Sequence, residues 1–175
     1  MKAKFKILIV FIGCLLFRLL PLRAPNVEPI MASLMPLGRK FGAMVGFLFG
    51  FLSIFLYDSV THFGSWTWIA AITYGAVGAA SALYFTKAKT SILNFAVFAF
   101  VATIVFDFVT GVLFAPIFHE SMAVALVLQV PFTLLHLAGN VGFAVTLSPI
   151  LNKWFLKDFP AKAIILDFKK LKQVV

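Results

Sequence analysis

The chain has 175 residues, 62% of them hydrophobic, and 22 are phenylalanine. Ordinary soluble domains are about 45–50% apolar, so this composition excludes a soluble globular protein and predicts an all-α integral membrane protein, one domain over residues 1–175. A net charge of +9 would suit a nucleic-acid binder. The basic residues, however, sit beside the ends of apolar segments, which is the positive-inside pattern of membrane spans and not a binding stripe, so no nucleic-acid partner is expected.

The N-terminus, Met1-Lys2-Ala3-Lys4-Phe5-Lys6 followed by an apolar run, imitates a secretory signal. No small-x-small cleavage site follows, so the run reads as a retained first span, residues 5–20, ended by Pro21 and Pro25. Cys14 lies inside it. One thiol makes no intrachain disulfide and has no Cys or His at metal-ligand spacing, so it reads as a small lipid- or core-facing residue.

Residues 18–29 break the lipid-facing pattern, with three prolines, two arginines, an asparagine and a glutamate in twelve positions. A plain connector between helices does not need Arg18, Asn26 and Glu28. A charge near the hydrocarbon core costs about 2.5–3.5 kcal/mol on insertion scales. These residues are therefore either a snorkelling arginine with a capping Asn/Glu pair, or part of a functional site.

Span two, residues 29–37, is short: at 1.5 Å per residue it covers roughly half of a ~30 Å core. A break at Gly38-Arg39-Lys40 gives six spans and puts every basic residue except Arg18 and Arg23 on the side of both termini. Fusing spans two and three would leave Lys87 and Lys89 outside. The expected architecture is thus a bundle of six transmembrane helices with N- and C-termini cytoplasmic, and span two short, tilted or partly inserted.

Span three, residues 41–58, continues a glycine face at positions 38, 42, 46 and 50, suited either to packing within the bundle or to docking another subunit. An outer loop follows with Asp58 and His62. Span four, residues 66–85, opens with Trp66-Thr67-Trp68, an interfacial aromatic signature, and carries Tyr74, Gly75 and Gly78. After the Lys87/Lys89 turn, span five, residues 91–114, sets Thr103, Asp107, Thr110 and Gly111 on one face. Residues 115–130 stay open as helix, loop or lid. Pro131 is expected to break them from span six, residues 132–151, which holds His136 and Asn140 four apart in its outer half and middle. A span starting near Ser121 would set both deeper. The basic tail, residues 152–175, is expected to lie along anionic membrane lipid.

On this topology Arg18, Asn26, Glu28, Asp58, His62, Asp107, His119, Glu120, His136 and Asn140 gather in the outer half with Tyr57, Trp66, Trp68 and Tyr74. The inner half is nearly free of polar groups apart from loop lysines. A transmembrane ion path would want polar groups along its full depth, so a pocket open to the outside fits better. Arg18 and Asp107 are expected to pair with each other or to meet a ligand. No Gly-x-Ser-x-Gly, His-Glu-x-x-His, Walker loop or cysteine pair is present, and His119-Glu120 has no His four residues on. Asp58 and Asp107 as an intramembrane aspartate pair find no support in their contexts. No enzyme, catalytic residue, metal or cofactor is expected.

Arg18…Pro25-Asn26-Val27-Glu28-Pro29, Gly64-Ser65-Trp66-Thr67 with Tyr74-Gly75-x-x-Gly78, Asp107-x-x-Thr110-Gly111 and Leu135-His136-x-x-Gly139-Asn140 together resemble the substrate-binding (S) components of energy-coupling-factor (ECF) vitamin transporters. The resemblance spans nearly the whole chain in the right order, and its specificity lies in the ordered set. It implies a multi-pass protein of a prokaryotic plasma membrane that captures a vitamin-like small molecule near the outer face. It also implies partners, a transmembrane coupling subunit and two cytosolic ATPase subunits. The candidate substrate-binding residues are Arg18, Asn26, Glu28, Asp58, His62, Trp66, Tyr74, Asp107, His136 and Asn140. Many members dock the coupling subunit through an Ala-x-x-x-Ala face on helix one. Here helix one offers only Gly13, and the glycine face of span three is the substitute candidate. The aromatic cup would suit a cobalamin-type or other large ring compound. A membrane scaffold or assembly protein is the alternative reading.

Overall fold

The computed structural model describes residues 3–21, 24 and 26–159. Among them the chain is all-helical, with helices α1 (Ala3–Arg18), α2 (Ile30–Phe41), α3 (Ala43–Val60), α4 (Ser65–Lys87), α5 (Ile92–Asp107) and α6 (Met122–Ile150). The expectations for Arg23, Pro25 and the tail from residue 160 lie outside the described residues. The segments Ala43–Val60, Ser65–Lys87, Ile92–Phe118 and Met122–Phe155 are long and apolar enough to cross a membrane, which fits a multi-pass membrane protein. Their outer surfaces carry large apolar side chains such as Leu93, Val101, Val127 and Leu134, a surface suited to lipid and not to water.

The helix α2 fills the centre. Every residue from Ile30 to Gly38 is buried. Its 12 residues reach only ~18 Å. The short second span is thus an interior element wrapped by α3, α4, α5 and α6. Pro36 lies inside it and withholds the amide proton that would bond the carbonyl of Ala32. The Ser148 hydroxyl of α6 donates to that carbonyl at 2.8 Å, so the proline ties the two helices together. On the α1 side the Cys14 thiol donates to the Ser33 hydroxyl at 3.3 Å, which makes Cys14 core-facing.

Two helix boundaries differ from the sequence expectation. The α2/α3 break falls at Gly42, where φ is 96°, a left-handed conformation that glycine adopts without a Cβ penalty. Arg39 and Lys40 form the last turn of α2 instead of the break. Pro131 does not interrupt α6, which runs on from Met122. In lipid one lost helical bond costs less than several exposed backbone groups. Residues 115–130 accordingly resolve into a 3₁₀ turn, Ala115–Phe118, a left-handed His119 and the first turns of α6.

The glycine face is used within the chain. Gly46 and Gly50 of α3 lie against the backbone of Gly78 and Tyr74 in α4, and Gly38 of α2 lies against Gly78, Ser81 and Ala82. The α3–α4 pair is the most extensive helix contact in the bundle, so the face is covered by α4 and is not a docking surface for another subunit.

Successive helices alternate in direction, giving the bundle two unlike ends. Lys6 pairs with Asp158 at 2.8 Å, and Lys40 donates to the Phe159 carbonyl at 2.8 Å. The hydrogen bond from Lys6, and then its charge, hold the Asp158 carboxyl below its usual range. Residues 156–159 therefore fold back onto the ends of α1 and α2. Arg39, Lys87 and Lys89 belong to the same end by helix direction. The opposite end gathers the polar and aromatic groups described next.

Candidate functional site

At that opposite end α1, α3 and α5 finish and α2, α4 and α6 begin. They enclose a cavity of about 210 Å³ lined by Arg18, Asn26, Glu28, Asp58, Trp66 and Tyr74, with Phe106, Gln129, Phe132 and His136 among the other walls. Pro21 biases the preceding residue away from helix, and α1 ends at Arg18. The chain then turns back through Asn26, whose φ of 60° is a left-handed conformation that asparagine tolerates. It next passes over α6 at Gly139, where a Cβ would come within 2.9 Å of the Val27 backbone. That close approach brings Glu28 to Arg18.

Arg18 Nε lies 2.9 Å from Glu28 Oε2. Its Nη1 donates to the Ser53 carbonyl at 3.1 Å, and its guanidinium sits 3.9 Å from the centre of the Tyr57 ring. Arg18 is therefore held on three sides, by charge, backbone and ring. The expected pairing of Arg18 with Asp107 is not formed. Glu28, ten residues along the returning chain, reaches Arg18 first.

Asp107 is paired across the α5–α6 contact, its Oδ1 lying 2.7 Å from His136 Nδ1. One turn deeper, the Asn140 amide donates to the Thr103 hydroxyl at 2.9 Å. On the cavity side of Asp107, Gly111 leaves room for the Gln129 side chain. Two antiparallel helices with polar residues four apart form this ladder directly, position 103 facing 140 and 107 facing 136. Just past Asp107 the chain widens into a π turn, Phe108–Leu113, a feature that often marks functional sites. It presents Thr110 and Gly111 to the cavity.

Of the ten residues singled out from sequence, seven line the cavity: Arg18, Asn26, Glu28, Asp58, Trp66, Tyr74 and His136. Asp107 lies directly behind His136. Asn140 is fully buried one turn deeper and does not line the cavity, as the unbroken α6 requires. His62 is exposed in the loop before α4 and is not brought in. Gln129 lines the cavity and was not singled out. Its signal was a lone amide in an apolar run, seven residues before His136 and so on the same helical face.

Tyr74 has no solvent exposure, and its hydroxyl has no hydrogen-bond partner among the described residues. A buried hydroxyl without a partner costs free energy, and this one belongs to a residue of the cavity wall. The volume falls below the ~300–1,000 Å³ of usual ligand pockets. Among the described residues no group of three or more His, Cys, Asp or Glu is placed to hold a metal ion. Comparison of the chain with protein families, curated proteins and solved structures finds no match.

Proposed function

We propose that this chain is a membrane-embedded solute-capture subunit, working as the S component of an ECF-type importer for a vitamin-like micronutrient in a prokaryotic plasma membrane. The observation that carries the reading is the cavity at the polar end of an otherwise apolar bundle, where Arg18, Asn26, Glu28, Asp58 and His136 converge among aromatic side chains. Captured solute supplies an apolar surface for the rings that line the cavity. The ordered sequence resemblance adds the coupling subunit and two ATPases as partners, because the chain carries no nucleotide-binding loop of its own.

The same reading orients the bundle. The lysine-rich end, with both termini, lies in the cytoplasm by the positive-inside rule, and the cavity faces outward. In this arrangement α1 and the buried α2 count as the first two of six spans. Single-cysteine labelling on a Cys14→Ser background checks this: a cysteine at position 88 should react only after permeabilisation, and labelling from outside intact cells would overturn the orientation.

Capture itself is tested on gently purified protein. Denaturation should release a small molecule identifiable by mass spectrometry, and mild detergent extraction should bring down ATPase subunits. The protein alone should neither hydrolyse ATP nor concentrate solute in vesicles. ATP hydrolysis by the pure chain would sink the reading. Recovery of cell-wall or division proteins with no small molecule would favour a scaffold instead.

A further inference from the structure

Among the described residues the charges around the cavity are not balanced. Glu28 is matched by Arg18 at 2.9 Å, and Asp107 by His136 at 2.7 Å. Asp58, at the end of α3 and half-buried in the cavity wall, has no side-chain hydrogen bond or ion pair among the described residues. Whether His136 carries a proton or not, the described groups at this site keep at least one carboxylate in surplus. A carboxylate drawn partly out of water favours a nearby cation.

The remaining walls favour the same sign. Trp66, Tyr74, Phe106 and Phe132 line the cavity, and aromatic faces attract cations through their quadrupole. The single cation among the lining residues, Arg18, is already engaged by Glu28, the Ser53 carbonyl and the Tyr57 ring. With Glu28 2.9 Å away, the charge of Arg18 is already offset and draws an anionic solute less strongly.

The geometry points to a small monocyclic organic cation as the solute, its charge balanced by Asp58 and its ring held between the aromatic walls. The inference rests on the solute-capture reading and narrows it to one charge class and one size. The volume of about 210 Å³ suits one ring with a short substituent.

Three probes of nearly equal shape and different charge test it on the purified full chain: 1-methylnicotinamide (cationic), nicotinamide (neutral) and nicotinate (anionic). The cation should raise the melting temperature and bind at least tenfold more tightly than the neutral amide, with no shift from the anion. Asp58→Asn should remove that preference, and Asp58→Glu should keep part of it. If D58N does not fold, the ranking of the three probes on the unaltered protein still decides. Equal or tighter binding of nicotinate, a folded D58N with unchanged preference, or no response to any probe at millimolar concentration would overturn the inference. So would release from the native protein of a molecule that is neutral or anionic at pH 7. That release would leave solute capture standing, whereas absence of any released molecule would remove capture itself.

Discussion

Gly78→Ala is expected to lower the stability of the bundle by about 3 kcal/mol or more, although it adds a single methyl group. Inserting extra carbon into a packed core usually costs about 1–3 kcal/mol, relieved by side-chain and backbone shifts. Here no side chain can yield. A Cβ on Gly78 meets the carbonyl oxygen, carbonyl carbon and next amide nitrogen around Gly46, and a Cβ on Gly46 meets the backbone of Gly78 in return. Relief requires α3 and α4 to separate, loosening the most extensive helix contact and the cover of α2. Gly13→Ala is the control, because nothing lies within 4 Å of the added atom. There the loss of glycine freedom should be neutral or stabilising by up to ~1 kcal/mol. Melting temperature and monodispersity in detergent read both. A G78A protein melting with the unaltered one would mean that the helices do not touch as described.

How much of this was legible depends on how local each signal is. The pairs Thr103/Asp107 and His136/Asn140 each sit four apart, so the polar face of each helix could be read directly. Their meeting follows once α5 and α6 are taken as antiparallel neighbours. The glycine face was equally legible, but not what covers it: Gly46 and Gly50 say only that a backbone comes close, and Gly78 of α4 was one candidate surface among several. The pairing of Arg18 with Glu28 was hidden by the turn at Asn26. A left-handed residue turns the chain where it passes over α6 at Gly139, and composition alone does not reveal that turn. Pro131 was misread because a proline rule drawn from soluble helices was applied where no water competes for the backbone. That shift carried Asn140 away from the cavity and left Gln129 unnoticed. His62 followed the general outer-side polarity, but a loop exposes such residues as readily as it aims them inward.

Breaking the Arg18–Glu28 pair should be the second large effect. The Glu28 side chain is 6% exposed and that of Arg18 10%, so Arg18→Met leaves a buried carboxylate without its counter-charge. Removing one partner of such a pair costs about 3–5 kcal/mol. It also releases the Ser53 carbonyl from its guanidinium donor and the Tyr57 ring from its cation. The double variant Arg18→Met/Glu28→Leu removes both charges and fills the space with apolar atoms, a replacement that is often neutral or even stabilising. Most of the lost melting temperature should return. Arg18→Met/Asp107→Leu supplies the contrast. Asp107 bonds His136 and not Arg18, so this pair should show no rescue, and its losses should add or worsen. Melting curves of the three singles and two doubles form two cycles with a common member. Coupling confined to the 18/28 cycle supports the arrangement described here. Rescue in the 18/107 cycle instead would mean that Arg18 reaches across to α5, and that the segment after α1 does not fold back as described. The cavity charge also changes differently in the two doubles. Removing Arg18 with Glu28 leaves the surplus of Asp58 untouched, so preference for the cationic probe should survive in that double variant while its neutral contacts weaken. A 18/28 double variant that folds but prefers nicotinate would place the balancing charge elsewhere than Asp58.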